Sequence, residues 1–164
     1  MSTARSILYR KLHLNHVLLS SLGSFSAVGI IAYISVTTGH AFLIPPFGAT
    51  CYIAFVLPDS AFAQPRNIIG GHILACLIGL ACLLMFGSNW WSQAIAMSAV
   101  VAIMQVTRTV HPPAAATTIL ITLQGGVDET GIFTTVLVGS MLIIGIAILF
   151  NKYIVKHNYP HYWW

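Results

Sequence analysis

From Val17 to Thr38 the chain runs for twenty-two residues without a charged side chain. At about 1.5 Å per residue, such a run as a helix covers the roughly 30 Å hydrocarbon core of a bilayer. Five more apolar runs succeed it: Ala41–Leu57, Ile68–Phe86, Trp90–Val106, Pro112–Leu123 and Ile132–Phe150. Charged residues make up only 6% of the chain and hydrophobic ones 57%, with a mean hydropathy of +0.86. A soluble domain carries about a quarter charged residues, and a disordered chain is polar or charged. Both classes are excluded, which leaves an integral membrane protein. The expectation is an all-α polytopic fold with about six hydrophobic segments, two of them broken by proline.

Charge position refines the topology. Arg5, Arg10, Lys11, Arg66, Arg108, Lys152 and Lys156 are the seven basic residues, and Asp59, Asp128 and Glu129 the three acidic ones. With six crossings and a cytoplasmic N-terminus, all seven basic residues fall on the cytoplasmic side, as the positive-inside rule favours. With four crossings, the proline-led segments being re-entrant, Arg66 and Arg108 would lie outside. Six crossings are therefore preferred. Both termini are then cytoplasmic, in a bacterial inner membrane, and the basic N-terminal stretch is expected to be a retained leader without a signal-peptide cleavage site. Cys51, Cys76 and Cys82 lie inside apolar runs at no metal-binding spacing. They read as packing residues, and neither a metal nor another cofactor is expected.

The chain repeats itself. Pro45-Pro46-Phe47-Gly48-Ala49-Thr50 aligns with Pro112-Pro113-Ala114-Ala115-Ala116-Thr117, sixty-seven residues on, with four identities in six. Each copy comes after a long apolar helix and precedes another that carries a glycine at a similar distance, Gly71 or Gly139. Residues 1–16 then form a basic cytoplasmic segment, 17–88 a first repeat, and 89–164 a second repeat with a short cytoplasmic tail. Three crossings per half would make the repeat inverted. Proline-interrupted segments at matching positions of two halves point to a transport site at their interface.

Proline suits the first position of a helix. A helix starting at Pro46 or Pro113 would leave free N–H groups on Phe47 to Ala49 and on Ala114 to Ala116. At membrane depth these donors need a partner, and the helix dipole favours an anion. The small residues Gly48, Ala49, Ala114 and Ala115 would let a ligand reach the backbone, and Thr50 and Thr117 would add hydroxyls. His111 could donate to the anion or carry a proton, and His72, inside the third run, is a second proton-coupling candidate. Arg66 and Arg108 would attract an anion or simply set topology. The plainer reading is that both proline pairs kink spanning helices and the threonines bond back to carbonyls. No acidic residue lies within an apolar run, which disfavours cation transport. The rows Gly23/Ala27, Gly71/Ala75/Gly79 and Ala94/Ser98/Ala102 predict close helix packing, within a chain or between the subunits of a homo-oligomer.

These residues resemble a known family. TRTVHPPAAATTIL (Thr107–Leu120), PPFGATCYIAF, AQPRNIIGGH and the closing NKY…NYPHYWW are similar to the HPP family of integral membrane proteins. Members in cyanobacteria and chloroplast envelopes are associated with nitrite transport, so the resemblance implies a transporter of a small monovalent anion, nitrite first. Its substrate-binding set here would be His111, Pro112, Pro113, Ala114, Ala115, Thr117, Gly48, Ala49, Thr50, Arg66 and Arg108. The chain departs from the family in carrying alanines where glycines often come after HPP, and in six expected crossings against the usual four. A small inorganic anion and membrane lipid are the expected partners, with no nucleic acid. No nucleophile–base–acid set or phosphate loop suggests an enzyme. A membrane scaffold whose polar motifs only pack helices is the alternative.

Overall fold

The computed structural model describes residues 14–124 and 128–163. Arg5, Arg10 and Lys11 of the expected cytoplasmic leader lie outside the described residues. The fold is all-helical: α1 (Leu14–Thr38), α2 (Pro45–Val56), α3 (Pro65–Phe86), α4 (Trp90–Val106), α5 (Pro112–Gln124) and α6 (Glu129–Phe150). A 3₁₀ turn at Ala61–Ala63 precedes α3, and a π-helical turn at Asn151–Val155 extends α6. α1, α3 and α6 are long and apolar enough to cross a bilayer. The proline-led helices α2 and α5 have only 12 and 13 residues, about 18–20 Å of rise. Of the Ala41–Leu57 run, only the part from Pro45 is helical. Residues 40–44 are non-helical, and Ile44 is extended at ψ 151°, because proline disfavours the α conformation in the residue before it.

Local chemistry sets the element boundaries. Pro45 and Pro112 are the first residues of α2 and α5, and Pro65 opens α3. Asn89 caps α4, its side-chain oxygen accepting from the Ser92 N–H at 3.0 Å. At the other end of α4, Thr109 N–H donates to Met104 O and Arg108 N–H to Gln105 O. This is the Schellman pattern, with Arg108 at φ 56° in the left-handed position that usually takes glycine.

α3 is the hub of the packing, touching α4, α5 and α6. The other substantial pairs are α1 with α2 and α6, α2 with α5 and α6, and α4 with α5. Exchanging α1 with α4, α2 with α5 and α3 with α6 maps every one of these pairs onto another or onto itself. The pattern of helix contacts is thus unchanged when the two halves are exchanged.

The matched glycines show how. A Cβ on Gly71 of α3 would lie 2.8 Å from His111 Cβ, 3.1 Å from Thr109 O and 3.4 Å from Ala114 Cβ. A Cβ on Gly139 of α6 would run into the Phe47 ring and lie 3.0 Å from Phe42 O. Thr109 and Ala114 stand sixty-seven residues after Phe42 and Phe47. Each long helix thus uses its glycine to receive the start of the other half's proline-led helix.

The small-residue rows divide. Gly23 and Ala27 are buried, Gly23 against the Phe55 ring. Gly71, Ala75 and Gly79 are buried under α5. Ala94, Ser98 and Ala102 face outward instead. The buried stripe of α4 is Ser92, Ala96, Val100 and Met104, two positions away in the sequence, so within the chain α4 packs by a different face. Cys51, Cys76 and Cys82 are free and buried.

A methyl forced into either glycine contact costs about 1–3 kcal/mol, the usual range for overpacking. Gly71→Ala and Gly139→Ala should therefore lower the unfolding transition in detergent micelles. Gly145→Ala, where an added Cβ meets nothing within 4 Å, should be neutral or stabilise the helix by up to about 1 kcal/mol.

Candidate functional site

Gly70 and Gly71 remove two side chains from the face of α3 that meets the segment before α5. A Cβ on Gly70 would lie 2.9 Å from Thr109 Cγ2. Arg66 and Asn67, one turn earlier, hold the same segment: Arg66 Nη2 donates to Thr107 O at 3.0 Å and Asn67 Nδ2 to Val110 O at 2.9 Å. The motif RNIIGGH thus draws the backbone that leads into His111 onto α3, and it brings His72 to the threonines of α2 and α5.

Four fully buried side chains are linked there in a chain. His111 Nδ1 lies 2.8 Å from Phe62 O, and His111 Nε2 lies 3.0 Å from Thr50 Oγ1. Thr50 Oγ1 lies 2.9 Å from His72 Nε2, and His72 Nδ1 lies 2.9 Å from Thr117 Oγ1. The two imidazole centroids are 5.1 Å apart, and Phe47 stands edge-on to His72 at 5.2 Å.

Counting donors orients this chain for two neutral imidazoles. Phe62 O can only accept, so His111 Nδ1 carries a proton and Nε2 a lone pair. Nε2 must then receive the single Thr50 hydroxyl proton. Thr50 Oγ1 in turn accepts from His72 Nε2–H, which leaves His72 Nδ1 to accept from Thr117. All protons point from Thr117 towards Phe62. The longer contact of Thr50 Oγ1 to Pro46 O, 3.2 Å, is secondary to this path.

The helix starts differ from the expected arrangement. α2 and α5 begin at Pro45 and Pro112, one residue earlier than a start at Pro46 or Pro113. The two prolines consequently occupy the first two positions, where they supply no N–H at all. The next donor in each helix is already used, Phe47 N–H on Ile44 O and Ala114 N–H on His111 O, both at 2.9 Å. The expected free donors on Phe47 and Ala114 are thus tied to their own cap carbonyls, although the positive ends of both helix dipoles remain.

The structure divides the sequence-derived candidates into three groups. His111, Thr50 and Thr117, with His72, form the buried chain. Ala49, Pro112 and Pro113 line an open, apolar groove of about 420 Å³ between α2 and α5, together with Tyr52, Ile53 and Ala116. Gly48 lines a neighbouring groove with Val28, Leu43, Ile44 and Pro45. Ala114 is packed beneath Gly71, and Ala115 is half-buried. Arg66 is half-buried on Thr107 O, and Arg108 is exposed. The sequence reading missed Phe62, whose carbonyl anchors His111. It also missed Asn67, a short polar side chain one helical turn before Gly71. The GGH spacing marked His72, but only the fold pairs it with both threonines.

The transmembrane region of the HPP family matches residues 9–160, and this chain belongs to that family. Two transmembrane proteins of Dictyostelium discoideum are similar to it. One is 32% identical over 156 residues, covering 87% of this chain and 54% of the relative. The other is 30% identical over 156 residues, covering 88% of this chain and 50% of the relative. The chain thus spans about half the length of these curated relatives. No solved structure matches it.

Thr50 bridges the two imidazoles. Thr50→Val should destabilise the protein by about 1–3 kcal/mol, the cost of leaving buried polar groups unpaired. Thr50→Ser, which keeps the hydroxyl, should recover most of that loss in chemical or thermal unfolding.

Proposed function

We propose that this chain transports a small monovalent anion, nitrite first among candidates, across a cell membrane. The observation that carries the reading is the meeting of two proline-led helices around a buried chain of hydroxyls and imidazoles, in a protein with no acid in its apolar runs. Two helix N-terminal dipoles bordering one groove favour an anion over a cation. The groove between α2 and α5 supplies the space, with Thr50 and His111 next in sequence to its wall residues Ala49 and Pro112. Nitrite rather than another small anion rests on the resemblance to HPP proteins associated with nitrite.

The same chain of side chains supports proton coupling. A proton taken up at His72 Nδ1 moves the Nε2 proton onto Thr50, whose own proton passes to His111 Nε2. His111 then releases its Nδ1 proton at the exposed Ala61–Phe62 turn. Each bond is broken as its neighbour forms, and the chain is left with reversed polarity until both imidazoles reset.

A second reading is favoured by the completeness of that network. Every nitrogen of both imidazoles has a partner, and the first available N–H of each proline-led helix is capped internally. Such groups would pack helices in a membrane scaffold without ever meeting a substrate.

Uptake of labelled nitrite into proteoliposomes separates the two. Transport predicts nitrite entry that Thr117→Val and His111→Ala reduce by more than their folded fraction falls. Absence of uptake by folded protein, beside a working control transporter, would sink the nitrite claim. Arg108→Gly gives an independent check, because glycine suits the left-handed position and removes an exposed cationic side chain. It should leave the melting transition level or higher, and slow nitrite uptake at low salt if Arg108 attracts the anion.

A further inference from the structure

Apart from the buried chain, three polar side chains converge at the surface. Asp59, in the loop between α2 and the 3₁₀ turn, meets His157 and His161 from the C-terminal tail. Both Nε2 atoms lie 2.8 Å from the same carboxylate oxygen, Asp59 Oδ1. The three potential ligand atoms all lie within 4.8 Å of one another. We propose that Asp59, His157 and His161 bind a divalent transition-metal ion of the zinc type, fastening the tail to this loop.

Two imidazole nitrogens and one carboxylate oxygen suit zinc, cobalt or nickel, whereas magnesium and calcium prefer oxygen alone. Tetrahedral zinc, with bonds of about 2.0–2.1 Å, sets its ligand atoms about 3.3 Å apart. The present N···O separations are about half an ångström shorter. Small rotations of exposed side chains, 71% exposed for Asp59, 33% for His157 and 38% for His161, close that difference. The ion takes the place of both Nε2 protons, each imidazole then binding as the neutral Nδ1–H tautomer, and water fills the fourth position.

The backbone behind the ligands is held in place from both sides. His161 N–H donates to Gln64 Oε1 at 2.8 Å, and buried Gln64 donates to Pro58 O and Ser60 O across the loop that carries Asp59. Buried Tyr159, midway between the two histidines, donates its hydroxyl to Ala63 O at 2.7 Å. His157 N–H returns to Asn151 O after the left-handed Lys156. These contacts bring the three ligands together before any ion arrives, which lowers the ordering cost of binding. The adjoining 3₁₀ turn carries Phe62, the carbonyl partner of His111, so the ion would fasten the turn at the end of the buried chain. The proposal stands whether or not the protein carries nitrite.

The test uses untagged, chelator-treated full-length protein in detergent micelles, titrated with Zn²⁺ against a colorimetric chelator and with Co²⁺ by visible absorption. One ion per chain is expected, with Zn²⁺ raising the melting temperature. Asp59→Asn, His157→Gln and His161→Gln should each weaken binding at least about tenfold, since losing a ligand costs no less than losing its supporting partner. Each should also abolish the thermal shift. Metal-free melting curves check that the variants fold, and Asp59→Asn, at a highly exposed position, keeps the test open should a tail variant fail. No binding at micromolar metal would overturn the proposal. So would binding left unchanged by the three substitutions, which would assign the ion to other histidines such as His16 or His40.

Discussion

A polar group at membrane depth has no water to turn to, and the architecture answers that constraint. Thr135 donates to Ala41 O, in the non-helical stretch before α2. Thr118 donates to Ala75 O across the α3–α5 contact. Asn67 donates to Val110 O in the non-helical stretch before α5. Irregular backbone is tolerated between these helices because hydroxyls and amides from neighbouring helices take up its carbonyls. The His111–Thr50–His72–Thr117 chain extends the same solution to side chains. Gly70 and Gly71 let the backbones of α3 and of the segment before α5 come close enough for short side chains to reach across.

The repeat is symmetric in backbone and asymmetric in chemistry. Gly71 and Gly139 receive equivalent carbonyls, and Thr50 and Thr117 hold equivalent positions. Both imidazoles lack a counterpart: Ile44 stands where the repeat would place a second His111, and Ser140 where it would place a second His72. Ser140 turns to its own helix at Leu137 O, whereas His72 meets both threonines. A duplicated scaffold thus holds a single polar chain with one direction, and direction is what a relay needs and a helix-packing contact does not.

The proline pairs show how a sound local rule can meet a different tertiary outcome. Proline at a helix start leaves later donors free only if the start falls at the second proline. Both helices begin one residue earlier, so the pair removes two donors and the cap carbonyl takes the third. What the helix ends retain is their dipole. The polar work passes to Thr50, Thr117 and the two histidines. Arg66 likewise serves the backbone at Thr107, while Arg108 closes α4 in a conformation that its side chain does not favour.

Uncharged run length was enough to establish the lipid-facing, all-helical class, because no other solvent suits such segments. The PP spacing placed breakers at matching positions of the two halves, whose helix contacts are symmetric under exchange. The motifs around HPP carried the family. Which face of α4 packs was decided by contacts between helices, which no local periodicity encodes. The same holds for the partners of His72 and for the meeting of His157 and His161 with Asp59, about a hundred residues away in sequence. Hydrogen bonds between short side chains form only where the separations between helices are held to within a fraction of an ångström. Those separations are set where Gly71 and Gly139 let one half of the chain touch the other.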